Sequence, residues 1–429
     1  MTPAPGGRRV RVAVVARVVY PLHGHGGLQR HVHDLVRFLA ARSVDVTLIT
    51  QPPMHGHLDD PDANEMLTRP GIRILTVPYR TFPLANRRGT TILDRITAYP
   101  LFGERAGALA AKLAADGSID VVHGLGAAVL GYARRWPGPD RRPAPLVFNP
   151  QGLEEFGATD PSHARLKRLA YRPLQWAVRT CARAADRVVA TDRVLVRPVL
   201  QHLRVPPEAV VTIPNAIDLD DCDRPADERA ADLRRSTGLG PADPLLVSVG
   251  RLEANKGFHI LVDALTHPTL RDVLGVNWRW VVVGDGPMRG RLEQRVAAAG
   301  LGARVVFAGR ASGDDLHGWL QAATLFVHPT LYEGSSLVTL EAMAHRRAVV
   351  GTRAGGLPDK IVPGVTGWLV EPGDPAALAA AIAEALGTPD RLPAMGDAGR
   401  ALVEREFSWP AVADRHVALY DELLARLRA

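Results

Sequence analysis

Cysteine is almost missing from this chain: Cys181 and Cys222 are the only two among 429 residues. Two thiols so far apart cannot build a disulfide framework, and no cysteine–histidine run has the spacing of a zinc motif. The expectation is therefore a reducing, cytoplasmic compartment and no metal centre. Lysine is equally scarce, confined to positions 112, 167, 256 and 360, so the net charge of +7 is carried by arginine. That charge favours anionic partners. Aromatic residues make up only 5% and are not interleaved with the basic ones, and no recognised nucleic-acid motif is present, which argues against nucleic acid. Long apolar runs are absent too, none approaching the roughly 18 uncharged residues that span a bilayer. The opening RRVRVAVVARVVYP has the look of an export signal. Arg17 interrupts its apolar run, no small-residue cleavage site follows, and it alternates as a first β-strand does.

What the chain does contain is alternation. Short runs rich in valine, isoleucine and leucine (VRVAVVARV, VDVTLIT, VDVVHG, PLVFNP, RVVATD) alternate with helix-length amphipathic segments up to VTIPNA. A second series runs from PLLVSVG through WRWVVVGDG, RVVFAGR, TLFVHPT, AVVGT and GWLVEPGD. Continuously apolar strands between helices predict parallel sheets covered on both faces. Two such series predict two doubly wound, Rossmann-like domains, over 1–218 and 219–405, with a final helix within 406–429. The Pro/Asp-rich stretch 219–243 reads as the boundary. Ligands of such sheets bind beyond the carboxyl ends of the strands, here expected at a cleft between the two domains.

The chemistry concentrates at strand ends. Gly24, Gly26 and Gly27 in HGHGGLQRHVHDL would let backbone amides approach an anion at a helix start, although the spacing is not that of a dinucleotide site. In VGRLEANKGFH, Arg251 and Lys256 leave a strand end five residues apart, an arrangement suited to clamping a diphosphate. DVVHGLG puts His123 at a strand end, facing the cleft. LYEGSSLVTLEAMA carries Glu333 and Glu341 eight positions apart with no basic residue beside either. Ser335 or Ser336 caps the helix that follows, whose amides and dipole favour an anion. Carboxylates that can grip hydroxyls, beside a phosphate-binding helix start, suit a ligand with sugar at both ends and phosphate between: a nucleotide sugar.

These residues resemble glycosyltransferase family 4, the retaining enzymes of GT-B fold. The resemblance spans nearly the whole chain: GGLQRHVHDL, ADRVVATD, IPNAID, VGRLEANKG, VVGDGP, VVFAGR, the E-x7-E of 333–341, AGGLPD and GVTGWLVEPGD. It implies two facing Rossmann-like domains, the donor bound mainly by the second, and a last helix crossing back to the first. It implies that Glu341 holds ribose hydroxyls and Glu333 the donor sugar or its phosphate. Arg251 and Lys256 bind the leaving diphosphate, and amides at Ser335, Ser336 and Leu337 contact phosphate or sugar. Gly27, with Gly26 before it, covers the diphosphate, His123 contacts the donor sugar, and Gly309 and Arg310 lie near the base. The implied partners are a nucleotide-sugar donor, on family frequency a UDP-sugar, and a hydroxyl-bearing acceptor, with no cofactor and no metal. The chain departs from the family pattern at Ser335–Ser336, where Phe-Gly is common, and at Asp359, where glutamate is usual.

Other readings remain open at this level. A pyridoxal-phosphate phosphorylase would need Lys256 or Lys360 as Schiff base. A sugar-nucleotide epimerase would need no acceptor, and an inactive nucleotide-sugar-binding partner would bind without turnover. DLDDCD (218–223) mimics a metal-binding DxD but falls in the expected boundary stretch. The basic segment 161–197 reads either as solvated helices, split at Pro173, or as a contact with an anionic membrane surface or acceptor. There Arg168, Arg172, Arg179 and Arg183 are expected on one face, with Leu166, Leu169, Ala177 and Cys181 on another. The acceptor would be read by loops near 51–100 and 149–160, with a small soluble metabolite preferred over a lipid-linked or polysaccharide one.

Overall fold

The computed structural model describes residues 8–24, 26–54, 56, 58, 61–80, 90–138, 142–157 and 169–428. Lys167, Arg168, Leu166 and parts of both expected acceptor loops lie outside them. The chain divides into two units, Met1–Pro214 with Trp409–Ala429, and Asn215–Ser408.

The first unit holds a seven-stranded sheet of β1 (Arg11–Val15), β2 (Asp45–Thr50), β3 (Ile72–Thr76), β4 (Val121–Leu125), β5 (Leu146–Asn149), β6 (Arg187–Ala190) and β7 (Val210–Thr212). Every pairing is parallel and the order is β3-β2-β1-β4-β5-β6-β7. β1, β4, β5 and β6 are almost wholly buried, as strands covered on both faces must be. The sequence reading does not anticipate β3: its run IRILT is short, interrupted by Arg73, and only half-buried at the sheet edge.

The second unit repeats the winding with six strands: β8 (Leu245–Val249), β9 (Arg279–Val283), β10 (Val305–Gly309), β11 (Leu325–His328), β12 (Val349–Thr352) and β13 (Gly367–Val370), ordered β10-β9-β8-β11-β12-β13. All are parallel. Two such sheets are the doubly wound, Rossmann-like α/β architecture expected from the alternating runs. Both orders reverse once, at β1/β4 and at β8/β11, and a doubly wound sheet opens a crevice at such a reversal.

The stretch 219–243 is not an open linker. It forms helices Leu219–Cys222 and Asp227–Ser236 within the second unit. Ala230 and Leu233 are buried, and Arg229 pairs with Asp315 at 2.6 Å. The last helix, Trp409–Arg428, packs in the first unit. Trp409 stacks on Phe38 at 6.0 Å between ring centres, and Arg42 and Arg187 donate to Asp414 and Glu422 at 2.5 and 2.8 Å.

Leu169 is not on a buried face with Ala177 and Cys181, which are at most 1% exposed; Leu169 is 65% exposed. The physical reason is Pro173, which sits in the first turn of helix Arg172–Ala184, so Leu169 precedes that helix and is out of its register.

Candidate active site

In the second unit the reversal at β8/β11 places two loops side by side. The β8 loop runs Gly250 to Gly257 and enters helix Phe258–Leu265; the β11 loop runs Pro329 to Ser336 and enters helix Leu337–Ala344. Gly257 has φ +67°, and a Cβ there would lie 1.9 Å from the Pro329 carbonyl oxygen, so only glycine lets the loops meet. The Thr330 hydroxyl donates to the Asn255 carbonyl at 2.9 Å and stitches them together.

This contact delivers Lys256 to Glu333. The Lys256 ammonium donates to Glu333 Oε2, and His328, fully buried at the end of β11, lies 3.2 Å from the same oxygen through Nε2. Glu333 is thus not without a basic partner; its partners come from a strand end and from a loop 77 residues away. Burial favours the neutral acid. It is overcome by the His328 hydrogen bond and the Lys256 charge, which hold the Glu333 carboxyl down at about 2. At any ordinary working pH this group is an ionised acceptor and not a proton donor.

Ser336 is the N-cap of helix Leu337–Ala344, its hydroxyl accepting from the Thr339 amide at 3.4 Å. Lys360, 1% exposed, donates to Ser335 Oγ at 2.9 Å and to the Ser336 carbonyl at 3.0 Å. The glycine of AGGLPD that explains that motif is Gly355: with φ +51°, a Cβ there would lie 1.8 Å from the Glu333 carbonyl oxygen. The segment carrying Asp359 and Lys360 therefore props the Glu333–Ser336 loop from behind. Glu341, half-buried, is one turn along that helix. Gly309 ends β10, followed by exposed Arg310.

Arg251 does not join Lys256. Its side chain is 75% exposed and pairs with Glu253 at 2.9 Å. Lys256 by contrast is 17% exposed and pairs with Glu333.

The first unit supplies the remaining expected residues. Helix Gly27–Ala40 starts with Gly26 as N-cap, which makes no side-chain cap, and has no acidic residue in its first turn. A Cβ on Gly27 would meet nothing within 4 Å, whereas one on Gly26 would lie 2.3 Å from Gln29 Oε1, so the helix start is open at Gly27 and covered by the Gln29 side chain at Gly26. His23 ties the loop before it, accepting from the Val19 amide at 3.0 Å and reaching the Gln51 carbonyl at 3.1 Å.

His123 does not open at a strand end. It is the third residue of β4, with no exposed surface; its Nδ1 meets the Tyr420 hydroxyl at 2.7 Å and its ring packs on His416 at 5.2 Å. The terminal helix covers that strand position, and burial drives the imidazole down to about 3. Its Nε2 is buried without a hydrogen-bond partner among the described residues.

His328 is the site residue that sequence reasoning missed, and Lys360, considered there only as a Schiff-base lysine, instead supports the Ser335–Ser336 loop. His328 had a signal, a histidine closing an otherwise apolar strand run. Lys360 had its rarity among lysines.

The model for Glycosyltransferase Family 4 matches residues 25–221, and the one for Glycosyl transferases group 1 matches residues 243–388. The chain is 30% identical to D-inositol 3-phosphate glycosyltransferase of Thermobispora bispora over 437 residues, covering 98% of this chain and 96% of the relative. It is 29% identical to alpha-maltose-1-phosphate synthase of Mycobacterium tuberculosis over 429 residues, covering 97% and 100%. Among solved structures it is similar to sucrose-phosphate synthase from Thermosynechococcus elongatus, with TM-score 0.71 and 25% identity over 97% of this chain and 100% of that one.

Proposed function

This chain belongs to glycosyltransferase family 4 and is a sugar-transferring enzyme, and from that premise we propose that it moves a sugar from a nucleoside diphosphate, UDP in the first instance, to a hydroxyl of a small sugar or polyol phosphate, retaining the anomeric configuration and using no metal. The observation that carries the reading is the meeting of Lys256 and Glu333 at the β8/β11 reversal, under the start of helix Leu337–Ala344. An ammonium has three donors, so Lys256 can hold Glu333 and a diphosphate oxygen together. Glu333, ionised and already hydrogen-bonded, serves as acceptor for donor-sugar hydroxyls. Glu341 takes the ribose hydroxyls, the amides of Ser335, Ser336 and Leu337 take phosphate or sugar, and Gly309 and Arg310 lie by the base. Arg251, exposed and paired with Glu253, exchanges that carboxylate for the diphosphate when donor binds.

In the reaction, the acceptor oxygen bonds to the anomeric carbon on the face from which the diphosphate leaves. The carbon–oxygen bond to the β-phosphate breaks as the new bond forms, and the acceptor's proton passes to a β-phosphate oxygen. Lys256 and Arg251 carry the charge that develops on the diphosphate. A carboxyl held near 2 and bonded to Lys256 and His328 is a weak nucleophile, which favours this single-step route over double displacement. The acceptor class is supported by the relatives: the names of all three proteins compared above specify a phosphorylated sugar or polyol.

The test is calorimetric binding of UDP, GDP, ADP and dTDP with EDTA and then with magnesium, followed by transfer assays to sugar and polyol phosphates. Metal-independent binding of one nucleotide and turnover to a phosphorylated acceptor is the expected result; no nucleotide binding would sink the reading. A second reading, an acceptor at a membrane surface, is favoured by one observation. Leu169 and Trp176, 65% and 52% exposed, lie beside exposed Arg172 and Arg183. Salt-sensitive sedimentation with anionic vesicles, lost in Trp176→Ala, would promote it.

A further inference from the structure

The expectation that no cysteine–histidine group binds metal rests on sequence spacing, and the fold brings together what spacing keeps apart. Cys222 ends helix Leu219–Cys222, His317 lies on helix Asp314–Ala322, and His345 is the C-cap of helix Leu337–Ala344. One ligand atom from each lies within 4.8 Å of the other two. From this convergence we propose that Cys222, His317 and His345 form a site for a borderline-soft divalent cation of the zinc class, with a fourth position left to water.

The chemistry of the donors selects the ion. One thiolate with two imidazoles suits zinc and disfavours magnesium or calcium, which take oxygen ligands. The geometry is close to what the ion needs. His317 Nδ1 and His345 Nε2 are 2.9 Å apart, in direct hydrogen-bond contact. Two imidazole nitrogens each about 2.0–2.1 Å from a tetrahedral zinc stand about 3.4 Å apart. Opening the pair by about half an ångström therefore admits the metal. The last carbonyls of helix Leu337–Ala344 add the negative end of a dipole beside His345.

There is also a way in and room for the water. Cys222 and His345 line a cavity of about 270 Å³ shared with Asp223, Arg224 and Arg400. Three of the four arginines lining it pair with carboxylates: Arg400 with Asp223 at 2.6 Å and Glu404 at 2.6 Å, Arg224 with Asp221 at 2.6 Å, and Arg346 with Asp397; the fourth, Arg347, donates to the His345 and Ala323 carbonyls at 2.7 and 3.0 Å. Those pairs also settle the role of DLDDCD. Asp218 caps helix Leu219–Cys222, and Asp221 and Asp223 hold arginines, so the residue of that run that faces the cluster is the cysteine. Lys256 and Glu333 lie by the opposite end of helix Leu337–Ala344, while Glu341, whose carbonyl accepts from the His345 amide at 3.1 Å, is the one donor-site residue that neighbours this cluster.

The experiment uses the full, untagged chain, stripped with chelator. Cobalt(II) is added and followed by absorption, zinc by calorimetry. One cobalt per chain is expected, with tetrahedral ligand-field bands and a thiolate charge-transfer band. Cys222→Ser should abolish the charge-transfer band, and His345→Gln and His317→Gln should each weaken binding more than about ten-fold, since even outer-shell partners cost that much. Circular dichroism of the metal-free variants checks folding. X-ray absorption of the zinc-loaded wild type reads the sulfur directly and needs no variant. No saturable one-to-one binding, a zinc shell without sulfur, or unchanged binding in folded Cys222→Ser would each overturn the proposal.

Discussion

The two sheets of this protein are wound alike, with the order reversing at β1/β4 in one unit and β8/β11 in the other, yet their strand ends carry different chemistry. In the second unit the reversal joins Lys256, His328 and Glu333 in one hydrogen-bonded group. In the first, the loop after β1 offers an open helix start at Gly27, while the histidine of β4 is turned into the packing against the terminal helix. The fold supplies equivalent positions, and the loops decide what each position does. A charged group at a reversal needs a partner from the facing loop. A backbone-amide site needs only space.

The largest expected effect lies in the second unit. Lys256→Ala removes the partner of Glu333 and the proposed diphosphate donor together, and should lower kcat/KM by about a hundred- to a thousand-fold, the usual cost of losing a preorganised charge-stabilising group. Steady-state kinetics reads it. Paired glycine variants sharpen the contrast between units. Gly257→Ala places a Cβ against Pro329 at positive φ and should destabilise by about 3 kcal/mol. Gly27→Ala points into open space and should leave the denaturation midpoint unchanged. Equal effects at the two positions would break the comparison.

His123→Ala should cost about 2–3 kcal/mol through the cavity and the lost Tyr420 contact. A fall in kcat with unchanged denaturant stability would instead restore its expected contact with the donor sugar. Glu341→Gln should weaken nucleotide binding by about ten-fold, or about 1.4 kcal/mol, measured calorimetrically.

The smallest effect near neutrality is the pH dependence. His31 and His123 are driven by burial to about 4 and about 3. Above pH 6.5 both rings are neutral folded or unfolded and contribute nothing. Below it the unfolded chain takes up protons that the folded rings refuse, so stability falls from about pH 6.5 downward. Glu333 has the opposite kind of group with the same direction: its depressed carboxyl stabilises above about 4.5, and that contribution is lost as pH falls towards 2. Urea denaturation from pH 7.5 to 3.5 should therefore show loss beginning near 6.5, and His31→Gln should flatten the upper part of the curve.

The fold was legible because apolar runs of four to six residues, buried on both faces, leave few alternatives to parallel strands between helices. β3 escaped because an edge strand half-open to water loses that signature. The site was legible by its residue types and only partly by its geometry. Glu333 and Lys256 could be nominated from their loops; their pairing could not, nor could the pairing of Arg251 with Glu253.

The sequence by itself determined two series of strands and helices, the strand-end loops that hold charge or glycine, and the likeness to a family of sugar transferases. Tertiary structure alone decided which of those residues meet. Lys256 reaches Glu333 because β8 and β11 are neighbours at the sheet reversal although far apart in the chain. His123 is buried because a helix from the far end of the sequence lies over its strand, and Cys222 finds His317 and His345 because three helix segments converge. Each of those contacts is long-range, and periodicity along a chain carries information only about the faces of single elements.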